Sequence, residues 1–390
     1  MNATGLFEWS GAAASVRWAN VVDLLCLAGG LAAIVSAVLH VRISGGRTRP
    51  GPGARIATLL PIAVLSVAFA AMLTSVWNRG IEVNHFPSQT MSEVIQMFTL
   101  AMLFSMIVLH FALGLQRRGP GWAVLDDVLI GLVLVAGVFL PHMYVQTLPT
   151  AQRDLPPALQ SYWFAPHLTS LIFSYATMGI AALIALSFFL TRFWSRALRG
   201  KWNASQFATL ALLVLVPFVH LLTIPLLAVS GLVFLTLKLV GRLPGEDRLV
   251  RLEKDLDDVS FRAFAVGIPF LTAGLWMGAF WAQEAWANYW GWDSKENSAL
   301  ITWLVYIVYI HLRMLGGYRG SKAMSVLVGG ALSVFLTFQV FGYLPDSQKS
   351  LHRYTDDNVR PMEGQQGGDK PSNDQARAAP AAAAGGGEQR

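Results

Sequence analysis

Residues 262–283 read RAFAVGIPFLTAGLWMGAFWAQ, with a single charge at the first position. About 20 apolar residues, rising 1.5 Å each, cover the hydrocarbon core of a bilayer as a helix. Comparable runs lie at roughly 21–41, 56–77, 94–115, 122–141, 167–191, 207–240, 298–314 and 323–344. The 390-residue chain is 54% hydrophobic and 13% charged, whereas soluble domains carry about a quarter charged residues. Only helices and closed barrels satisfy their backbone in lipid, and no two-residue barrel alternation is present. The expected fold is an all-α polytopic membrane protein. The run 207–240 is too long for one helix and contains Pro217 and Pro225, so it reads as a hairpin. About eight transmembrane helices plus an apolar helical hairpin are expected.

Directly after the opening run comes Trp286-Ala287-Asn288-Tyr289-Trp290-Gly291-Trp292-Asp293. Indoles favour the membrane surface, where the ring is apolar and the N–H finds a polar partner. An aromatic belt scatters such rings over many helix ends. Packed into one short loop, they suit a large planar ligand. If the stretch were helical, 286, 289, 290 and 293 would share a face, but Gly291 argues against an unbroken helix. Asp293 has two readings. It orients a ligating imidazole or an indole, as carboxylates around metal sites do, or it caps the next helix together with Glu296.

The formal charge of +6 does not point to nucleic acid, because most Lys and Arg fall in short loops between apolar runs. By the positive-inside rule these loops are cytoplasmic. The loops 78–93, 142–166 and 284–297 then share the outer side, with both termini. The first 20 residues lack a basic start followed by an apolar core, so no cleaved signal peptide is expected. Cys26 stands alone, so thiol chemistry would belong to another protein. The organisation read from this is an external N-terminal segment (1–20), N-terminal transmembrane helices (21–141), a core (142–345) carrying the 284–297 loop, an external histidine segment (346–354), and a disordered tail (355–390). The charged stretch 241–258 reads as a short surface helix.

Two histidines flank the aromatic loop on its own side. His167 follows Pro166 at the start of a span, and His352 lies just past the last one. Imidazoles above and below a porphyrin, with aromatic walls, would hold a haem iron. His142 is a rival by position. His311 ends a span near the inner boundary, where an ionisable residue is a functional candidate. His40 and His110 lie at inner helix ends, and His220 within the hairpin.

Trp286 to Asp293 resembles the tryptophan-rich WWD signature of haem-handling proteins, with Ala287 where the usual form has glycine. The segment from Ser294-Lys295-Glu296 to Trp303 is similar to the one that follows the signature in the CcsA/ResC family of system II cytochrome c assembly proteins. Ser294 stands there in place of the usual proline. His85-Phe86-Pro87 with Ser92-Glu93, Pro166-His167 before Ser174-Tyr175-Ala176, and Ser350 to Tyr354 match in order and setting. The likeness covers most of 60–354.

This resemblance implies that His167 and His352 ligate the iron of haem b at an outer site lined by Trp286, Trp290, Trp292 and Asp293. It implies that His311 ligates a second, intramembrane haem, with the other histidine from a ResB/Ccs1-type partner; His40, His110 and His220 are in-chain alternatives. The implied activity is haem transport to the extracytoplasmic face of a bacterial inner membrane, or a thylakoid, and its covalent attachment to apocytochrome c as part of a holocytochrome c synthase. Membrane lipid surrounds the chain, and a thioredoxin-like thiol reductant would be a further partner. Rival readings are a CcmC-like haem-delivery protein without synthase activity, a non-catalytic assembly subunit, or an unrelated polytopic transporter.

Overall fold

The computed structural model describes residues 12–44, 52–148, 156–200 and 245–339, with isolated residues between 230 and 241. Most of the expected hairpin at 207–240, His220, His352 and the tail lie outside the described residues. The helices are α1 (Ala14–Ser44), α2 (Pro52–Val83), α3 (Met91–Leu113), α4 (Pro120–Leu132), α5 (Leu140–Val145), α6 (Phe164–Ala197), α7 (Glu246–Trp286), α8 (Ser294–Met314) and α9 (Ser321–Gln339). The chain is an all-α polytopic membrane protein. Six described segments are long and apolar enough to cross a membrane, and Ser321–Thr337 is a shorter apolar helix.

Two helices start well before their apolar runs. α1 begins at Ala14 because Glu82, at the end of α2, satisfies its first turn: Ser15 donates to that carboxylate through N (3.0 Å) and Oγ (2.6 Å). α7 begins at Glu246, absorbing the stretch expected to be a separate surface helix. Leu249, Leu256, Val259 and Ala263 are buried there, and that spacing keeps one helical face apolar through the charges. Between α4 and α5, residues Val133–Phe139 widen into a π-helical turn. Pro141 has no amide to offer the carbonyl four residues back, and the widened turn accommodates it.

The N-terminal half is a bundle in which α1 packs on α2 and α4. Its buried polar side chains pair across helices. His142 Nδ1 lies 2.8 Å from Asp23, which also accepts from Gln146 at 3.0 Å. His110 Nδ1 lies 2.7 Å from Asp126, and Ser36 Oγ donates to Asp127 at 2.7 Å. His40 Nε2 lies 3.7 Å from Asp127. The half built from α6 to α9 joins the bundle chiefly through α3 and α6, where Ser105 and Thr177 hydroxyls meet at 3.0 Å. At its far end Arg313 donates to buried Asp257 at 2.7 Å, and Gly320 N donates to the same carboxylate at 3.1 Å.

Candidate haem cleft

The cleft starts from glycine. On α7, a Cβ at Gly267 would lie 3.1 Å from Met178, one at Gly274 2.6 Å from Leu171, and one at Gly278 2.6 Å from the His167 ring. Small residues let helix backbones approach closely in membranes, and here they seat α6 antiparallel on α7. That approach brings His167 Nδ1 within 2.8 Å of the Gly274 carbonyl. A carbonyl only accepts, so Nδ1 carries a proton, and in the neutral ring the lone pair is then on Nε2. Metal-ligating histidines use this tautomer, held by the same kind of partner. Trp281 stacks on the imidazole at 5.6 Å and 26°.

Trp281 is itself fixed. Its indole donates to the Ala158 carbonyl at 2.7 Å, and its ring meets Phe164 at 5.2 Å and Trp286 at 4.9 Å. Ser161 donates to Glu284 at 2.6 Å. The 3-10 turn Pro157–Gln160 and the end of α7 are thus held together ahead of the aromatic loop.

α7 stops at Trp286 because Ala287 turns left-handed, at φ 56° and ψ 26°. This is the position where the WWD signature has glycine, which adopts that conformation without steric cost. Trp292 is also left-handed, at φ 56°. The loop is pinned by the first turn of α8. Asp293 is the N-cap and accepts from Lys295 N at 2.6 Å. Glu296 reaches back to Gly291 N at 2.8 Å and Asp293 N at 3.2 Å, completing a capping box. A second such box, Thr90 with Glu93, opens α3.

Together these elements enclose a cleft of about 210 Å³. From α6 and α7 it is lined by Phe164, His167, Tyr175 and Trp281, from the aromatic loop and α8 by Tyr289, Trp290 and Lys295, and also by Met91 and Thr337. Ser88, Leu159 and Tyr289, from the three loops expected on a common side, therefore line one cleft. Two of the predicted site residues, His167 and Trp290, line the cleft directly. Trp286 packs on Trp281, one layer away. Trp292 is 71% exposed, does not line the cleft, and stands edge-on to Trp290 at 81°. The two left-handed residues break the loop into facets, so its indoles form no single flat plate. Asp293 occupies the capping position.

His311 lies on the exposed side of α8, its Nδ1 2.8 Å from the Ile307 carbonyl. His40, His110 and His142 belong to the carboxylate pairs of the N-terminal bundle. Gly274, Gly278 and Trp281 were not singled out from the sequence. The small-residue stripe at 267, 274 and 278 was the signal for them, since it marks the α7 face that meets another helix.

A polytopic helical membrane protein with an imidazole-bearing aromatic cleft at one end is the class that this geometry defines. A family model described as "Cytochrome C assembly protein" matches residues 91–345, and the chain belongs to that family. Among similar relatives are the "Cytochrome c biogenesis protein CcsA" of Synechocystis sp., 32% identical over 304 residues covering 75% of this chain and 86% of that protein. The proteins so named from Microcystis aeruginosa (30% over 297 residues, 75% and 85% covered) and Rippkaea orientalis (31% over 318 residues, 78% and 90% covered) are similar. These relatives place the chain with CcsA within the family.

Proposed function

We propose that this chain acts in cytochrome c biogenesis as a haem-handling subunit, holding haem b in the cleft for attachment to apocytochrome c. The observation that carries the reading is the imidazole of His167 in an aromatic cleft, its Nδ1 committed to the Gly274 carbonyl. The residues fit the cargo: an apolar macrocycle needs aromatic walls, and an iron needs a neutral imidazole. His352 supplies the second axial ligand in this reading. It lies thirteen residues past Gln339, the end of α9, and Thr337 of that helix lines the cleft. Extended chain covers about 3.3 Å per residue, so the segment is long enough to return.

The contribution to attachment is positioning. Each thioether forms when a substrate Cys S–H adds across a haem vinyl group: the sulfur bonds one vinyl carbon, the other takes the proton, and no electrons are lost. The thiols come from apocytochrome c and must be kept reduced, which calls for a thioredoxin-like partner. His311, on an exposed helix face with its Nδ1 held by a carbonyl, suits an intramembrane haem whose other ligand comes from a ResB/Ccs1-type protein. The bacterial inner membrane, with the cleft outward, is the proposed location; a thylakoid membrane would present it equivalently.

Likeness to CcsA proteins over three quarters of the chain favours this reading over CcmC-like delivery, and the family match sets aside an unrelated transporter. The test is the absorption spectrum of the full chain purified from haem-replete cells, alone and with the partner. A low-spin bis-imidazole spectrum is expected. A colourless protein in both preparations ends the proposal.

A further inference from the structure

α8 is built inside out. Its buried residues are all polar or hydroxyl-bearing: Ser298, Thr302, Tyr306, Tyr309 and Arg313. Their spacing puts them on one helical face. The opposite, exposed face carries Ile301, Leu304 and Val308. Lipid accounts for the apolar face, whereas polar groups turned into a membrane protein meet one another, water or cargo. At one end the polar face reaches the cleft: the Thr302 and Thr337 hydroxyls meet at 3.4 Å, and Thr337 lines the cleft. At the other end Arg313 donates to Asp257 at 2.7 Å. Between these ends the side chains follow one another. Tyr306 and Tyr309 both meet the Phe264 ring, at 5.5 and 4.8 Å. Tyr309 and the Arg313 guanidinium both meet Phe261, at 6.3 and 4.6 Å. The Tyr306 and Tyr309 hydroxyls and Arg313 Nε are buried, and none has a hydrogen-bond partner among the described residues. Each such group costs free energy if it stays dry.

We propose that the buried face of α8 binds a file of water molecules and serves as a proton path between the cleft and the Asp257–Arg313 pair. Water satisfies the orphaned groups, as buried water does where polar atoms lack protein partners. The spacing suits it. From Thr302 to Arg313 the polar positions climb in steps of three or four residues, about 4.5–6 Å each at 1.5 Å per residue. One water bridging two groups spans a similar length, through two hydrogen bonds of about 2.8 Å. Protons pass by exchange along the file. Each oxygen accepts one proton as it gives up another, so no side chain changes charge and nothing is oxidised or reduced. The path lies inside the α6–α9 half and does not depend on which cargo the cleft holds.

The test uses the full-length chain reconstituted in phosphatidylcholine vesicles that hold a pH-sensitive dye. After an external pH step, with valinomycin and potassium to cancel the voltage, wild-type vesicles should equilibrate several-fold faster than protein-free ones. Tyr306→Phe and Tyr309→Phe each remove one hydroxyl and keep the ring, and each should return most of the rate to the protein-free value. Tyr162→Phe, the same change at an exposed position, should leave the rate as it was. The melting midpoints of Tyr306→Phe and Tyr309→Phe should be unchanged or raised, because a hydroxyl bonded only to water is replaced by carbon at little cost. A purely structural tyrosine would lower them. Hydroxyl-radical labelling on the millisecond scale gives the second reading, since it marks side chains next to bound water. Tyr306 and Tyr309 should be labelled to an extent comparable with Tyr162. Labelling no higher than that of buried Phe188 overturns the water file. Wild-type proton entry at the protein-free rate overturns the path, and so does a rate that survives both substitutions.

Discussion

In the N-terminal bundle, the histidines placed in helices face carboxylates: His40 and Asp127, His110 and Asp126, His142 and Asp23. In the half built from α6 to α9, His167 and His311 face backbone carbonyls instead, of Gly274 and Ile307. The difference is chemical. A carboxylate pairs with the ring through its side chain and ties two helices together. A carbonyl can only accept, so it puts a proton on the nitrogen that faces it and sets the orientation of the ring, as the partners of metal-ligating histidines do. These histidines thus divide into those that join helices through a carboxylate and those oriented by a backbone carbonyl.

The sharpest way to break this contrast is His167→Ala. Haem retained per purified protein should fall at least about tenfold, the scale of losing a metal-site contact, with membrane abundance unchanged. Added imidazole should restore part of the spectrum, and wild-type haem retention would defeat the division. Asp23→Ala should do the reverse. It strands buried His142 and Gln146, costing about 3 kcal/mol, visible as a lower melting midpoint in detergent. Haem bound per folded molecule should not change.

Gly278→Ala sharpens the comparison within the cleft. Its new methyl would meet the His167 ring at 2.6 Å, an overpacking cost of about 1–3 kcal/mol, and should shift the haem spectrum as well as the melt. The smallest effect is a gain. Ala287→Gly relieves a left-handed alanine and should stabilise the chain by about 0.5–1 kcal/mol, with haem content unaltered.

Much of this was legible in the sequence because membrane helices announce themselves by length and composition. The meeting of three loops at one cleft followed from the placement of Arg and Lys. The start of α7 was missed because its first four turns are charged, and a window of mean hydropathy does not see one buried leucine face. The carboxylate partners were missed for another reason. Asp23 and His142 are 119 positions apart, and no local pattern links them. The motif told where the aromatic loop would be, but not that Trp292 would point away. That depends on two left-handed residues, one of them a tryptophan, whose conformation no propensity predicts. Asp293, with two readings open from the sequence, stands in the structure as the N-cap of α8.

The 41 residues of α7 extend about 60 Å at 1.5 Å per residue, twice the thickness of a hydrocarbon core. One arm is clasped at Asp257, and the other ends in the indoles beside the cleft. Pro269 lies between them, where the missing amide makes bending cheap. One continuous helix thus carries both the Asp257 clasp and the indoles, so the register of one end sets the register of the other.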